Sequence, residues 1–90
     1  MGVDVVCIWD LDDDPDGNVQ HVAEHGLTKD EVASVFAAAD AFTEESRSSD
    51  RQVTIGTTDT GRYVVVVWEH VDDDPLTVYP VTAYEPDSND

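Results

Sequence analysis

Apolar residues in this chain come in blocks, and the spacing inside each block predicts an element. Residues 3–9, VDVVCIW, form a β-rich run suited to a buried strand. The acidic stretch DLDDDPDG follows as a loop, with Pro15 placed where a first helical turn can begin. Val19, Val22 and Ala23 share one helical face, which predicts a short helix over 16–25 with His21 and His25 on its polar side. Gly26 suits the position just past a helix end, where a left-handed backbone costs glycine little. Thr28 and Glu31 match a capping box, and Leu27 with Val32 matches the hydrophobic staple that accompanies one. Val32, Val35, Phe36 and Ala39 carry the apolar stripe on, so the second helix is expected over 28–39. The short HGLT link makes the pair an αα-hairpin.

The second half reads as strands. FTEES at 42–46 is an optional edge strand and RSSD a turn. In RQVTIG, 51–56, Val53 and Ile55 alternate with Gln52 and Thr54, as in a half-buried strand. TTDTG at 57–61 is a hairpin turn. RYVVVVWEH, 62–70, is apolar on both sides and is expected to be the central strand. VDDDP is a second acidic loop, and LTVYPVTAYE, 76–85, the last strand, with Pro80 forcing a bulge or an unpaired position. The expected fold is α+β and two-layered: two N-terminal helices packed on a mainly antiparallel sheet, in the order β-α-α-β-β-β with the edge strand as an optional addition. One domain over 1–85 and a flexible tail over 86–90 suit the 90-residue length. DDDP occurs at 12–15 and again at 72–75, but the flanking residues differ, so it is shared loop composition and not a repeat.

Charge narrows the partners. Four Lys and Arg stand against twenty-one Asp and Glu, for a formal net charge of −17. A chain so acidic is repelled by nucleic acid and by anionic lipid, so nucleic acid is an unlikely partner and no membrane association is expected. Fifteen of the acids are Asp, a bias common in salt-accumulating organisms, where dissolved salt screens the repulsion; simple solubility is the plainer reading. The start of the chain lacks the pattern of a signal peptide, so a cytoplasmic protein is the expectation. A single cysteine, Cys7 in an apolar strand, excludes an internal disulfide and reads as a buried, inert thiol.

Two patterns could hold a cation. His21-Val22-Ala23-Glu24-His25 fits H-x-x-E-H, with two histidines one helical turn apart. Zinc peptidases of that type need a third ligand and a cleft, which ninety residues do not supply, so adventitious metal capture is the stronger metal reading and solvated histidines the plain one. Asp12, Asp14 and Asp16, with Gly17, match the opening of a calcium loop. Its twelfth position is Ala23 in place of a bidentate glutamate, which leaves weak calcium or sodium binding, or a solvated loop beside a helix N-terminus. No other cofactor is expected: neither a phosphate-binding glycine loop nor a nucleophile elbow occurs.

In this order of elements, several short motifs resemble the BrnT family of toxins from bacterial toxin–antitoxin pairs, which have a RelE-like fold. They are Trp9-Asp10, His25-Gly26-Leu27-Thr28, then Glu31, Val35 and Phe36, then Arg51 through Ile55-Gly56, Gly61-Arg62, and Thr82-Ala83-Tyr84-Glu85. The resemblance implies a metal-independent ribonuclease held in check by an antitoxin, with His25, Arg51 and Arg62 at the catalytic positions. Two features depart from the family. Glu24 replaces the lysine usual before the His-Gly pair, and TVYPVTAY replaces an arginine-rich last strand. With the overall charge inverted as well, the leading expectation is an acidic, divergent branch serving as a non-catalytic interaction module for a basic protein or antitoxin-like partner. The alternatives are a ribonuclease toxin of a type II pair, using His25 and Arg51, and a cation-binding protein using Asp12, Asp14 and Asp16.

Overall fold

Backbone pairing, more than propensity, sets the strands of this protein. The computed structural model describes residues 5–45, 51–73 and 75–86. Along the chain run β1 (Val6–Cys7), α1 (Asn18–Glu24), α2 (Lys29–Ala37), β2 (Phe42–Glu45), β3 (Arg51–Thr57), β4 (Tyr63–Asp73) and β5 (Leu76–Tyr84). The five strands make one mixed sheet in the order β1-β5-β4-β3-β2. β1 runs parallel to β5 and every other pairing is antiparallel. The class is the expected α+β, the optional edge strand is present as β2, and the valine-rich β4 is the central strand.

Several expectations need correction. The first helix starts at Asn18, so Pro15 lies outside it, and Ala23 faces solvent while Asn18 and Val22 are buried. The second helix ends at Ala37, where Ala38 turns extended and Ala39 is exposed. Its end is set by Asp40, whose carboxylate accepts the Thr57 backbone N–H at 3.1 Å and the Thr57 hydroxyl at 2.7 Å and so draws the chain toward β3. The second acidic loop is shorter than expected, because β4 continues to Asp73, which pairs with Leu76. Ladder pairing outweighs the low strand propensity of aspartate there. Of the first predicted strand, 3–4 lie outside the described residues; so do Ser46, the 47–50 turn and 87–90 of the expected tail.

The helix ends behave as their sequences imply. Gly26 has φ 77°, and the N–H groups of Gly26 and Leu27 bond back to the carbonyls of Ala23 and Val22 at 2.9 and 3.0 Å. That is a Schellman closure with its usual apolar pair, Val22 and Leu27, in the core. At α2 the capping box is complete: Glu31 N–H donates to Thr28 Oγ1, and Thr28 N–H donates to Glu31 Oε1, both at 3.1 Å.

The core lies between the helices and one face of the sheet. Val22, Leu27, Val32 and Val35 meet Val64, Val66, Trp68, Val78 and Ala83. The Phe36 ring stands edge-on to Trp68 at 5.8 Å. Register then dictates an outcome that the β3 pattern did not suggest. Gln52, Thr54 and Gly56 pair with Trp68, Val66 and Val64, so the polar half of β3 faces the helices. Thr54 is buried there, accepting the Trp68 indole N–H at 2.8 Å and sharing a 2.7 Å hydrogen bond with the Thr43 hydroxyl. Val53 and Ile55 therefore lie on the opposite face, beside Val67 and Val65. At Pro80 the expected bulge appears: Val67 pairs with Thr82 but Trp68 with Pro80, leaving Val81 as the extra residue.

Candidate functional site

Three regions carry the polar and exposed apolar chemistry. The first centres on Arg62, between the β3–β4 turn and β4. Its guanidinium donates to the Gly26 carbonyl at 2.7 Å, to both Glu31 oxygens at 3.3 Å and to Glu85 Oε1 at 2.7 Å. Thr60 Oγ1 adds a 2.7 Å bond to Glu31 Oε2. The Thr60 hydroxyl, chiefly, with help from Arg62, holds the Glu31 carboxyl below the usual range, and Arg62 does the same for Glu85. The carboxylates in turn hold the guanidinium firmly charged. Arg62 thus ties the helix–helix turn, α2, the hairpin and the end of β5 into one knot.

The second region joins the ends of β1, α1 and β5. Asn18 is only 1% exposed and has every polar atom of its amide engaged. Its Nδ2 donates to the Ile8 and Pro80 carbonyls at 2.9 and 2.8 Å, and its Oδ1 accepts the Asp10 N–H at 2.9 Å. Asp10 Oδ2 accepts the Asn18 N–H at 2.9 Å and the Tyr79 hydroxyl at 2.5 Å. α1 is therefore capped from a distance by Asp10, since its own N-cap, Gly17, has no side chain to offer. A Cβ at Gly17 would come within 2.7 Å of Asp10 Cβ, so the contact requires glycine. The hydrogen bond to Asp10 pushes the Tyr79 hydroxyl up to about 12, and the same bond lowers the Asp10 carboxyl.

The third region is the face of the sheet turned away from the helices. Cross-strand partners share a face, so Phe42, Ile55, Val65 and Tyr84 form one row across four strands. Glu44, Val53, Val67 and Thr82 form the row beside it. Phe42 is 49% exposed and Tyr84 38%, and Tyr63 at one end of the face is 52% exposed. Val53, Ile55 and Val67 are half-buried, and Val65 is buried at 7% exposure. Both helices pack on the other face; at the β5 edge of the row the His25 ring, at the end of α1, lies 6.2 Å from that of Tyr84. The Arg51–Glu69 ion pair, at 3.3 Å, closes the far end of the face.

The residues singled out in the sequence are distributed over these regions. His25 is exposed at the end of α1, its ring 6.2 Å from Tyr84, and its neighbour Gly26 receives Arg62. His25 and Arg62 are thus brought together. Arg51 is not: it begins β3 at the opposite end of a seven-residue strand, about 20 Å away. Asp12 meets the Lys29 ammonium at 3.2 Å, and its backbone carbonyl accepts the Gln20 amide. Asp14 Oδ1 accepts the Asp16 backbone N–H at 3.0 Å. Among the described residues no three His, Cys, Asp or Glu side chains are grouped as a metal site, which covers Asp12, Asp14, Asp16, His21 and His25. Cys7 is half-buried, and that burial pushes its thiol up, away from a nucleophile. No helix among the described residues is long and apolar enough to cross a membrane.

Asn18, Tyr79 and the outer-face row did not emerge from the sequence. A signal for the row existed, since β4 is apolar on both sides. That pattern alone does not reveal whether both sides are covered. No family model, curated protein or solved structure matches the chain.

Proposed function

We propose that this protein is a non-catalytic interaction module that docks a basic protein partner on the sheet face turned away from its helices. One observation carries the reading: an apolar row spans four strands on the face turned away from the helices, on a chain of net charge −17. An apolar patch of this kind marks an interaction surface, and the charge selects a cationic partner and speeds its approach. Glu44, exposed in the second row, places a carboxylate inside the patch. The ribonuclease alternative draws on a convergence of His25 with Arg51; His25 ends α1 next to Gly26, which receives Arg62 from beyond the β3–β4 turn, while Arg51 begins β3 at its other end. The cation-binding alternative draws on convergent carboxylates, and Asp12 and Asp14 are engaged by Lys29 and by the loop's own backbone.

The test is backbone-amide NMR mapping with three synthetic peptides of equal positive charge. One alternates lysine with valine, one carries lysine and leucine at helical spacing, and one combines lysine with glycine only. At least one apolar peptide is expected to bind more tightly than the glycine one, shifting the amides of Val53, Ile55, Val65 and Val67. Equal binding by all three, or shifts confined to 12–16 and 72–73, would reduce the protein to a bulk polyanion and overturn the proposal.

A further inference from the structure

Resting on that reading, we infer that the element which docks on the outer face is an amphipathic basic helix, seated as a third layer along β3 and β4. The shape of the face leads to this. Val53, Ile55, Val65 and Val67 make a floor of β-branched side chains on the two middle strands. Phe42 on β2 and Tyr84 on β5, whose ring lies 6.2 Å from that of His25, mark its two sides. Three interstrand spacings separate β2 from β5, or about 14 Å. A helix with its side chains is about 10–12 Å across, so its width matches the span from β2 to β5. Along the strands the floor follows β3, whose seven residues span about 20 Å. A helix of about thirteen residues covers that length. The opposite face of the same sheet already buries its valines beneath helices, so the outer face asks for the same kind of cover.

Charge decides whose helix it is. Glu44 flanks Phe42 on the β2 side, and the molecule around the face is strongly acidic. The helix that suits it carries Leu, Ile or Val along one stripe and Lys or Arg beside that stripe. This chain contains no such segment: its one lysine and three arginines are scattered at 29, 47, 51 and 62. A second copy would bring another −17 against the same face. The occupant is therefore a different, basic protein.

The experiment compares the three peptides by calorimetry, with sedimentation of the protein alone. The helical peptide is expected to bind most tightly and to gain helicity on binding, read by circular dichroism. Phe42→Ser, at an exposed position, is expected to weaken it by about tenfold. Glu44→Lys weakens it about threefold at low salt, with the difference fading at molar salt, while Asp72→Lys at the distant hairpin has less effect. Tighter binding of the alternating valine peptide would overturn the helix while leaving the docking face in place. Binding that is equal for all three peptides would overturn both. A dimer that forms on its own, and is abolished by Phe42→Ser, would make a second copy the occupant and overturn the inference.

Discussion

The two faces of one sheet have been given different fates by the same four valines of β4. Val64 and Val66, with Trp68, are sealed beneath α1 and α2. Val65 and Val67, one residue out of phase, look away from the helices beside Ile55 and Val53. Composition hardly separates the two sets; what stands over them does. The helix side contributes folding energy and tolerates little change, because a packed interior loses both transfer energy and contacts when atoms are removed. The outer side lies outside that helix-covered core, and on the proposed reading it is the side that docks a partner. A strand that is hydrophobic on both faces thus has one half inside the core and, on the proposed reading, the other half for docking.

The largest effect expected from this contrast is at Trp68. Trp68→Ala removes a buried ring, its edge contact with Phe36 and its bond to Thr54, and is expected to cost about 3–5 kcal/mol. In a domain of this size that takes most of the stability, and urea unfolding will read it as a large fall in midpoint. Next is Asn18→Ala, which leaves the Ile8 and Pro80 carbonyls and the Asp10 N–H without their partner. A loss of about 2–4 kcal/mol is expected by the same measurement, with the start of α1 losing hydrogen-exchange protection first.

A smaller effect depends on pH. The folded pKa of Tyr79 is raised to about 12 from an ordinary 10.0, so its stabilisation is complete below pH 10 and is lost as pH rises toward 12. Melting temperature should fall across that window, and less so in Tyr79→Phe. On the acid side the signs reverse. The carboxyls of Asp10, Glu31, Asp40 and Glu85 are lowered in the fold, so their stabilisation holds above about pH 4 and fades below it. The smallest effect on folding belongs to the outer face: Val67→Ser is expected to change stability by about 1 kcal/mol or less while weakening the helical peptide. Equal losses from Val67→Ser and Trp68→Ala would mean that the outer face is a core and not a docking surface.

How far each feature could be read in advance follows from how local its causes are. The capping box of Thr28 and Glu31, the glycine closure at Gly26 and the bulge at Pro80 are decided by neighbours within a few residues, so the amino-acid order alone was enough to place them. The α+β class and the central position of β4 follow from periodicity, which is local too. The burial of Thr54 in place of Ile55 was not legible, because it depends on which residue of β4 lies opposite, and a shift of one residue exchanges the two faces. The distant cap that Asp10 provides for α1, the bond from Asp10 to Tyr79 and the capture of Arg62 by Glu31 and Glu85 join residues 8, 69, 31 and 23 positions apart. No spacing rule reaches across such separations; only the packed chain brings these groups within hydrogen-bonding distance. The same holds for the outer face, since hydrophobic patterning specifies which side chains avoid water, but where the helices land determines which of them join the core beneath the helices.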